Sequence, residues 1–400
     1  MFGKKKSKRI YLDWAAATPM RPEVVKAMQP YFEKDFGNPS AIHEEGLSTR
    51  KAIENARQQV AKTVQVRPEL VTFTGGGTEG NNLAIIGSIK ALLIEGQDYS
   101  DLEIVTTKIE HPSVIKSIEY LATLGVQVRY VEVDKVGRID LSSLEGLLNK
   151  KTVLVSVSYV NSEIGVIQPL RQIKKILALA EKRFSSQIYL HVDGAQAPLW
   201  LTCQADSVGA DMLVLDTAKC CGPKGVGVLI RSRRTKLSPV MHGGGQEDGL
   251  RSGTENAAGI VGAGLALELA TRDFKARSEK VTSLRDEVFA LIETELPQAI
   301  LNGPVGNSRV ANNINISIPG LDTEYTTVVL NQAGFAVSTK SACSGVGGGV
   351  STVIQAVSGD TLRSGSTLRI TLGPDTKIAD IKKLTQVLKK HIEKMSALTN

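Results

Sequence analysis

Lys219 is the residue of this 400-residue sequence best placed for covalent chemistry. It lies in LDTAKCCGPKGVGVLI, residues 215 to 230, after one apolar run and before a Gly-Pro-Lys-Gly turn that leads into another. A lysine held between two core strands is desolvated. Desolvation lowers its pKa and leaves an amine able to form a Schiff base with a carbonyl group. Lys224, inside the turn, reads as a surface charge. Asp193, in HVDGAQ at 191 to 196, follows the apolar run IYLHV and falls at the C-terminal end of a strand. Ligands of open α/β sheets bind there. Two readings are open for its carboxylate: a cap for the next helix, or the partner of a heterocyclic nitrogen that must stay protonated so that the ring can take up electrons.

A third segment, FTGGGTEGNN at 73 to 82, runs from a strand through three glycines into Thr78 and a helix beginning near Glu79. Glycines let the backbone approach a phosphate, Thr78 offers a hydroxyl, and the free N–H groups of a helix start complete an anion site. Alone, the segment reads more readily as an ordinary turn, and its weight comes from the other two. Cys343 stands in TKSACSGVGGGVST, a stretch of small residues that cannot pack a core and is expected to form a mobile loop. Structural cysteines are usually buried, so a packing role for Cys343 is the weaker reading. Cys220 and Cys221 lie between apolar runs and are expected to pack.

The elements that must position these residues follow from the hydrophobic pattern. Seven short apolar, β-branched runs are expected strands: LVTFT at 70 to 74, EIVTT at 103 to 107, VRYVEV at 128 to 133, TVLVSVSY at 152 to 159, IYLHV at 188 to 192, MLVL at 212 to 215 and VGVLI at 226 to 230. Most are continuously apolar, as strands covered on both faces are. Between them Leu170, Ile173, Ile176, Leu177 and Ala180 repeat at helical spacing. Strand and helix in alternation predict an α/β fold with a mostly parallel sheet sandwiched by helices. After about residue 275 the pattern changes to two amphipathic helices, near 277 to 294 and 376 to 397, flanking strands at ANNINISI and TLRITL. The expected division is a large cofactor-binding domain over 20–275 and a smaller α+β domain made of 1–19 with 276–400.

Composition narrows the class. Hydrophobic residues make up 42% of the chain and no apolar run nears the length of a membrane-spanning helix, so a soluble protein is expected. The net charge of +7 collects in residues 1 to 9 and along the last helix, which reads as a solvated tail and helix face rather than a nucleic-acid surface. The basic start, KKKSKR, runs directly into Ile10, Tyr11 and Leu12 without an apolar core segment, which argues against a secretory signal. Four cysteines without paired spacing argue against a disulfide framework and a zinc site, and a cytoplasmic location is expected.

In order along the chain, YLDWAAATP, GNPSAIHEEG, TGGGTEGNNLAI, EHPSV, VNSEIGVIQP, HVDGAQ, GPKGVG, HGGGQEDGLRSGTEN, KSACSG and TLRITLG resemble the cysteine desulfurases, a branch of the class V, fold type I pyridoxal-phosphate enzymes. The resemblance implies pyridoxal 5'-phosphate as cofactor, held as a Schiff base by Lys219, with Asp193 on the pyridinium and His111 stacked on the ring and relaying protons. It implies Gly77 and Thr78 at the phosphate, Asn161 and Gln196 at the phenolic oxygen, and Arg369 with Asn161 at the substrate carboxylate. Thr254 would reach the phosphate of a neighbouring subunit, which implies a homodimer. Cys343 would take sulfur from L-cysteine as a persulfide, leaving alanine. A free cysteine is only a few per cent thiolate near pH 7, so His111 or Lys340 would help to activate it. The 26 residues from Cys343 to Arg369 resemble the branch that serves iron-sulfur clusters and tRNA thiolation, which implies sulfur-acceptor proteins as partners.

The pattern departs at one place. Desulfurases of this group have serine, one residue, then histidine before the Schiff-base lysine, both on the phosphate; here Asp216 and Ala218 stand there. A carboxylate beside a phosphate repels it by on the order of 1 kcal/mol or more. Either Thr217 compensates or Asp216 turns away. Two other functions are weighed: a class V aminotransferase or selenocysteine lyase, against the first of which Cys343 argues, and a non-catalytic dimeric scaffold, which would be colourless.

Overall fold

The computed structural model describes residues 9–339 and 350–399, so Lys340 and Cys343 lie outside the described residues. The described strands are β1 (Ile10–Tyr11), β2 (Val71–Thr74), β3 (Glu103–Thr106), β4 (Gln127–Tyr130), β5 (Thr152–Ser158), β6 (Tyr189–Asp193), β7 (Met212–Asp216), β8 (Gly227–Arg231), β9 (Ile300–Leu301), β10 (Asn313–Ser317), β11 (Phe335–Ala336) and β12 (Thr367–Thr371). Seven of them form the central sheet in the order β2-β8-β7-β6-β5-β3-β4. All its pairings are parallel except those of β8, which runs against both β2 and β7.

Continuous apolar strands have two faces to bury, and the side chains alternate between them. Along β7, Leu213 and Leu215 enter one core with Ile53, Val60, Leu177 and Ile260, while Met212 and Val214 enter the other with Leu83, Ile85, Ile89 and Ile118. Helices therefore cover both faces: Glu44–Val64, Leu170–Phe184 and Ala257–Arg272 supply the first, Gly77–Ile94 and Pro112–Thr123 the second. The edge strand β4 shows the opposite texture, with Gln127 and Arg129 exposed. This is the mostly parallel α/β sheet flanked by helices that the alternating pattern predicts.

Beyond the long helix Phe274–Glu295, β12, β10 and β9 form an antiparallel sheet, with Asn315 of β10 facing Arg369 of β12. The helix Ile378–Thr399 packs against Phe274–Glu295. The start of the chain joins this part: β1 pairs in parallel with β11, and Asp13 bridges to Thr371. Among the described residues no helix is long and apolar enough to cross a membrane.

Candidate active site

Strand ends converge on a cavity of about 980 Å³ lined by Lys219, Asp193, His111, Asn161, Gln196 and Arg369, with Gly77, Thr78 and Asp216 at one end. Asp193 closes β6 and is 8% exposed. Its Oδ2 accepts from Asn81 Nδ2 at 2.9 Å and its Oδ1 from the Ala195 N–H at 3.0 Å. Both bonds fix the carboxylate's orientation at the cavity wall. Asn81 also donates to Ser113 Oγ at 2.9 Å, and its carbonyl meets His191 Nε2 at 3.1 Å. Burial pushes the His191 pKa down, against the opposing pull of Asp193, and holds this imidazole neutral.

His111 does two things at once. It is the N-cap of Pro112–Thr123, where Nδ1 accepts from the Ser113 N–H at 3.1 Å and meets Ser113 Oγ at 2.7 Å, and its ring lines the cavity. Accepting at Nδ1 assigns the proton of the neutral ring to Nε2. Asn161 is likewise both turn and wall. Its Oδ1 accepts from Glu163 N at 2.9 Å and Ile164 N at 3.0 Å, and its Nδ2 donates to Ile109 O at 2.7 Å. Gln196 Nε2 donates to Ala15 O at 2.9 Å.

Lys219 ends the single turn Thr217–Lys219 that follows β7, and its ammonium donates to Ala16 O. The turn is clamped from the chain's first segment. Thr18 Oγ1 donates to Ala218 O at 2.9 Å and accepts from Cys221 N at 2.7 Å. Lys224 is exposed, and its ammonium reaches Thr18 O at 2.8 Å. Cys220 and Cys221 are buried, and burial pushes both thiols up, as it pushes Cys203 to about 12. All three are therefore protonated near neutrality and unsuited to nucleophilic attack.

Arg369 lies on β12 at 2% exposure, far from an exposed strand charge. Its guanidinium donates to Asp13 Oδ1 at 2.9 Å and Ser162 O at 3.2 Å, and among the described residues its Nε has no hydrogen-bond partner. A buried, under-satisfied guanidinium on a cavity wall is suited to a carboxylate ligand.

Two expected site residues stand apart from this cavity. Thr217 is fully buried and its hydroxyl donates inward to Pro223 O at 2.6 Å and Val226 O at 2.8 Å, so it does not compensate at the phosphate end. Asp216 has not turned away. Its Oδ2 accepts from Gly77 N at 3.3 Å and its Oδ1 from Ala218 N at 2.9 Å. Thr254 is exposed and outside the cavity of its own chain.

Three further residues belong to the site. Asn81 joins Asp193 to the His111 cap, and Asp13 neutralises Arg369. Glu110 also lines the cavity; burial raises its carboxyl to about 7, Asp193 adds to the rise, and a 2.7 Å bond from Thr107 opposes it. The signal for Glu110 is its place beside His111 in EHPSV. Asp13 sits in YLDWAAATP, but nothing local ties it to Arg369.

The cofactor implied by the sequence motifs fits this donor set. An amine, a hydrogen-bonded carboxylate and the N-terminus of Gly77–Ile94 line one cavity, as an aldehyde, a pyridinium and a phosphate on one ring require. Lys219, Asp193, and Gly77 with Thr78 would hold these three groups.

The aminotransferase class-V family profile matches residues 10–384. The cysteine desulfurase IscS of Dictyoglomus turgidum is 39% identical over 392 residues, which is 98% of this chain and 96% of that protein. A solved NifS-like protein has a TM-score of 0.87 at 29% identity, with 96% of this chain and 99% of that one covered. SspA, solved in complex with cysteine, has a TM-score of 0.76 at 29% identity over 91% of this chain and 99% of its own. Family match, relatives and site geometry agree along nearly the whole length, and the chain belongs to the aminotransferase class-V family, among its cysteine desulfurases.

Proposed function

We propose that this protein is a pyridoxal-phosphate-dependent L-cysteine desulfurase that converts L-cysteine to L-alanine and carries the sulfur as a persulfide on Cys343. The observation that carries the reading is the meeting of Lys219, Asp193 and Arg369 on one cavity, in a chain related end to end to cysteine desulfurases. The cysteine held by its structural relative SspA supports the choice of substrate.

When bound, the cofactor supplies an electron sink for the substrate's α-carbon. The chain's own residues do the rest. Arg369 takes the substrate carboxylate, with Asn161 beside it. Lys219 would anchor the cofactor and serve as the base for the substrate's α-proton. Asp193 would hold the protonated ring nitrogen, and His111, on the same cavity, would contact the cofactor and relay protons. The Cys343 thiolate forms an S–S bond to the substrate sulfur as the Cβ–S bond breaks; two protons complete alanine and the persulfide keeps one sulfur, so the step needs no outside oxidant.

The same reading assigns partners. Sulfur-acceptor proteins for iron-sulfur clusters or tRNA thiolation receive the persulfide sulfur, and a homodimer lets Thr254 serve the neighbouring subunit's phosphate. The division into 20–275 and 1–19 with 276–400 is supported by the pairing of β1 with β11. A cytoplasmic location agrees with the cysteine usage.

Alanine and persulfide formation from L-cysteine, after incubation with pyridoxal phosphate, tests the proposal in the native protein, Cys343→Ser and Lys219→Ala. Turnover is expected to vanish in both variants, with the yellow bound cofactor kept only in Cys343→Ser. Alanine release that survives Cys343→Ser would remove the persulfide role.

A further inference from the structure

The end of the cavity that would receive a phosphate already contains an anion. The helix Gly77–Ile94 starts after Gly76, whose φ of +143° only glycine adopts with ease, and the first N–H to bond back into the helix is that of Gly80, to Gly76 O at 3.1 Å. The earlier N–H groups of that turn have no helical acceptor and favour negative charge. Asp216 supplies it: one oxygen takes Gly77 N at 3.3 Å and the other takes Ala218 N at 2.9 Å. The approach is close, since a Cβ on Gly77 would lie 3.2 Å from Asp216 Oδ2. The charged side chains on the Gly75–Glu79 turn do not offset a second anion. Glu79 faces the same turn, with Oε2 on Gly75 N at 2.7 Å, and Arg251 is already paired to Glu79 at 3.0 Å.

We infer that Asp216 is a resident stand-in for the cofactor's phosphate and a determinant of cofactor affinity and specificity. This rests on the pyridoxal-phosphate reading above. The carboxylate satisfies the Gly77 and Ala218 N–H groups until the phosphate competes for the first of them. The phosphate docks only as the Asp216 side chain rotates away from that donor. The penalty falls on the phosphate and not on the ring. The chain therefore binds pyridoxal phosphate weakly for its fold and discriminates poorly between it and unphosphorylated pyridoxal.

Cofactor-free native protein, Asp216→Asn and Asp216→Ser are titrated with pyridoxal phosphate and, separately, with pyridoxal. Binding is followed by the yellow colour of Lys219-bound ligand and by calorimetry, and folding by thermal melting. Asparagine keeps an acceptor for the Ala218 N–H without the charge, and serine is a smaller second route should the asparagine variant not fold. Unit charges a few ångströms apart in a partly dry site repel by an energy worth about tenfold in affinity or more. Both variants are expected to bind pyridoxal phosphate at least about tenfold more tightly, with pyridoxal changed by less than about threefold. Unchanged or weaker pyridoxal phosphate binding in the folded variants would overturn the inference, as would an equal gain for both ligands. Absence of yellow colour with either ligand in all three proteins would overturn the cofactor reading itself.

Discussion

Arg369 and Asp13 form an ion pair at 2.9 Å in which the arginine side chain is 2% exposed and the aspartate 19%. Removing one partner of such a pair leaves a charge with little water to replace it, which destabilises by about 3 kcal/mol or more. Asp13→Ala is accordingly expected to lower the thermal midpoint by several degrees, and an unchanged melting curve would show that the pair contributes nothing. Arg369→Lys keeps the charge but loses the planar fork that suits a carboxylate. Its KM for cysteine is expected to rise by about tenfold or more, with the bound-cofactor spectrum unchanged. Glu110 brings a pH dependence. Burial raises its carboxyl from the ordinary 4.5 to about 7, so across that window the folded chain keeps a proton that the unfolded chain releases. Stability therefore falls as pH rises from 4.5 to about 7, by on the order of 2–4 kcal/mol for this group. Glu110→Gln stays neutral, so in urea unfolding of the cofactor-free protein the variant should gain on the native chain between pH 5 and 8; a pH-independent difference would contradict the assignment.

At the scale of elements, the phosphate end depends on how closely β8 approaches the turn before Gly77–Ile94. A Cβ at Gly227 would lie 2.4 Å from the Gly76 carbonyl carbon, a backbone atom that cannot swing aside. Gly227→Ala should destabilise by roughly 1–3 kcal/mol and weaken pyridoxal phosphate binding, because relief of the clash displaces Gly76 and the Gly77 N–H. Thermal melting and a cofactor titration of the same variant check both effects. The strands that carry this geometry were legible because β5, β6, β7 and β8 bury two faces and spell continuous apolar runs. Lys219 and Asp193 were legible with them, as polar residues at the ends of such runs. The two-residue strands β1, β9 and β11 are too short to show any period, and their existence depends on distant partners. For the same reason the partnership of Asp13 with Arg369, and the link of Asn81 to Asp193, could not be read locally. Thr217 and Asp216 are adjacent polar residues in sequence, and only the backbone path decides that one hydroxyl points to Pro223 and Val226 while its neighbour's carboxylate meets Gly77.

For the whole molecule, the exposed Thr254 and the cavity it does not line make a prediction about assembly. Sedimentation should give twice the 42.9 kDa chain mass. If Thr254 serves a neighbour's phosphate, Lys219→Ala and Thr254→Ala chains are each impaired alone. Co-expressed, they should regain turnover through mixed dimers, where one site combines native Lys219 with native Thr254. Failure of the mixture, with mixed dimers demonstrated, would exclude a shared site. The same scale gives meaning to the segment from Ile10 to Thr18. It pairs with β11, holds Arg369 through Asp13, receives Gln196 at Ala15 and Lys219 at Ala16, and clamps the lysine turn through Thr18. Asp13 and Arg369 stand 356 positions apart. A ribosome thus makes the Asp13 side of this ion pair long before the strand that completes it. Until β12 has emerged, the growing polypeptide has Lys219 without its finished surroundings, and a product terminated before β12 lacks the guanidinium that lines the cavity. The cavity wall is therefore completed only once β12 has been made, after every other described strand.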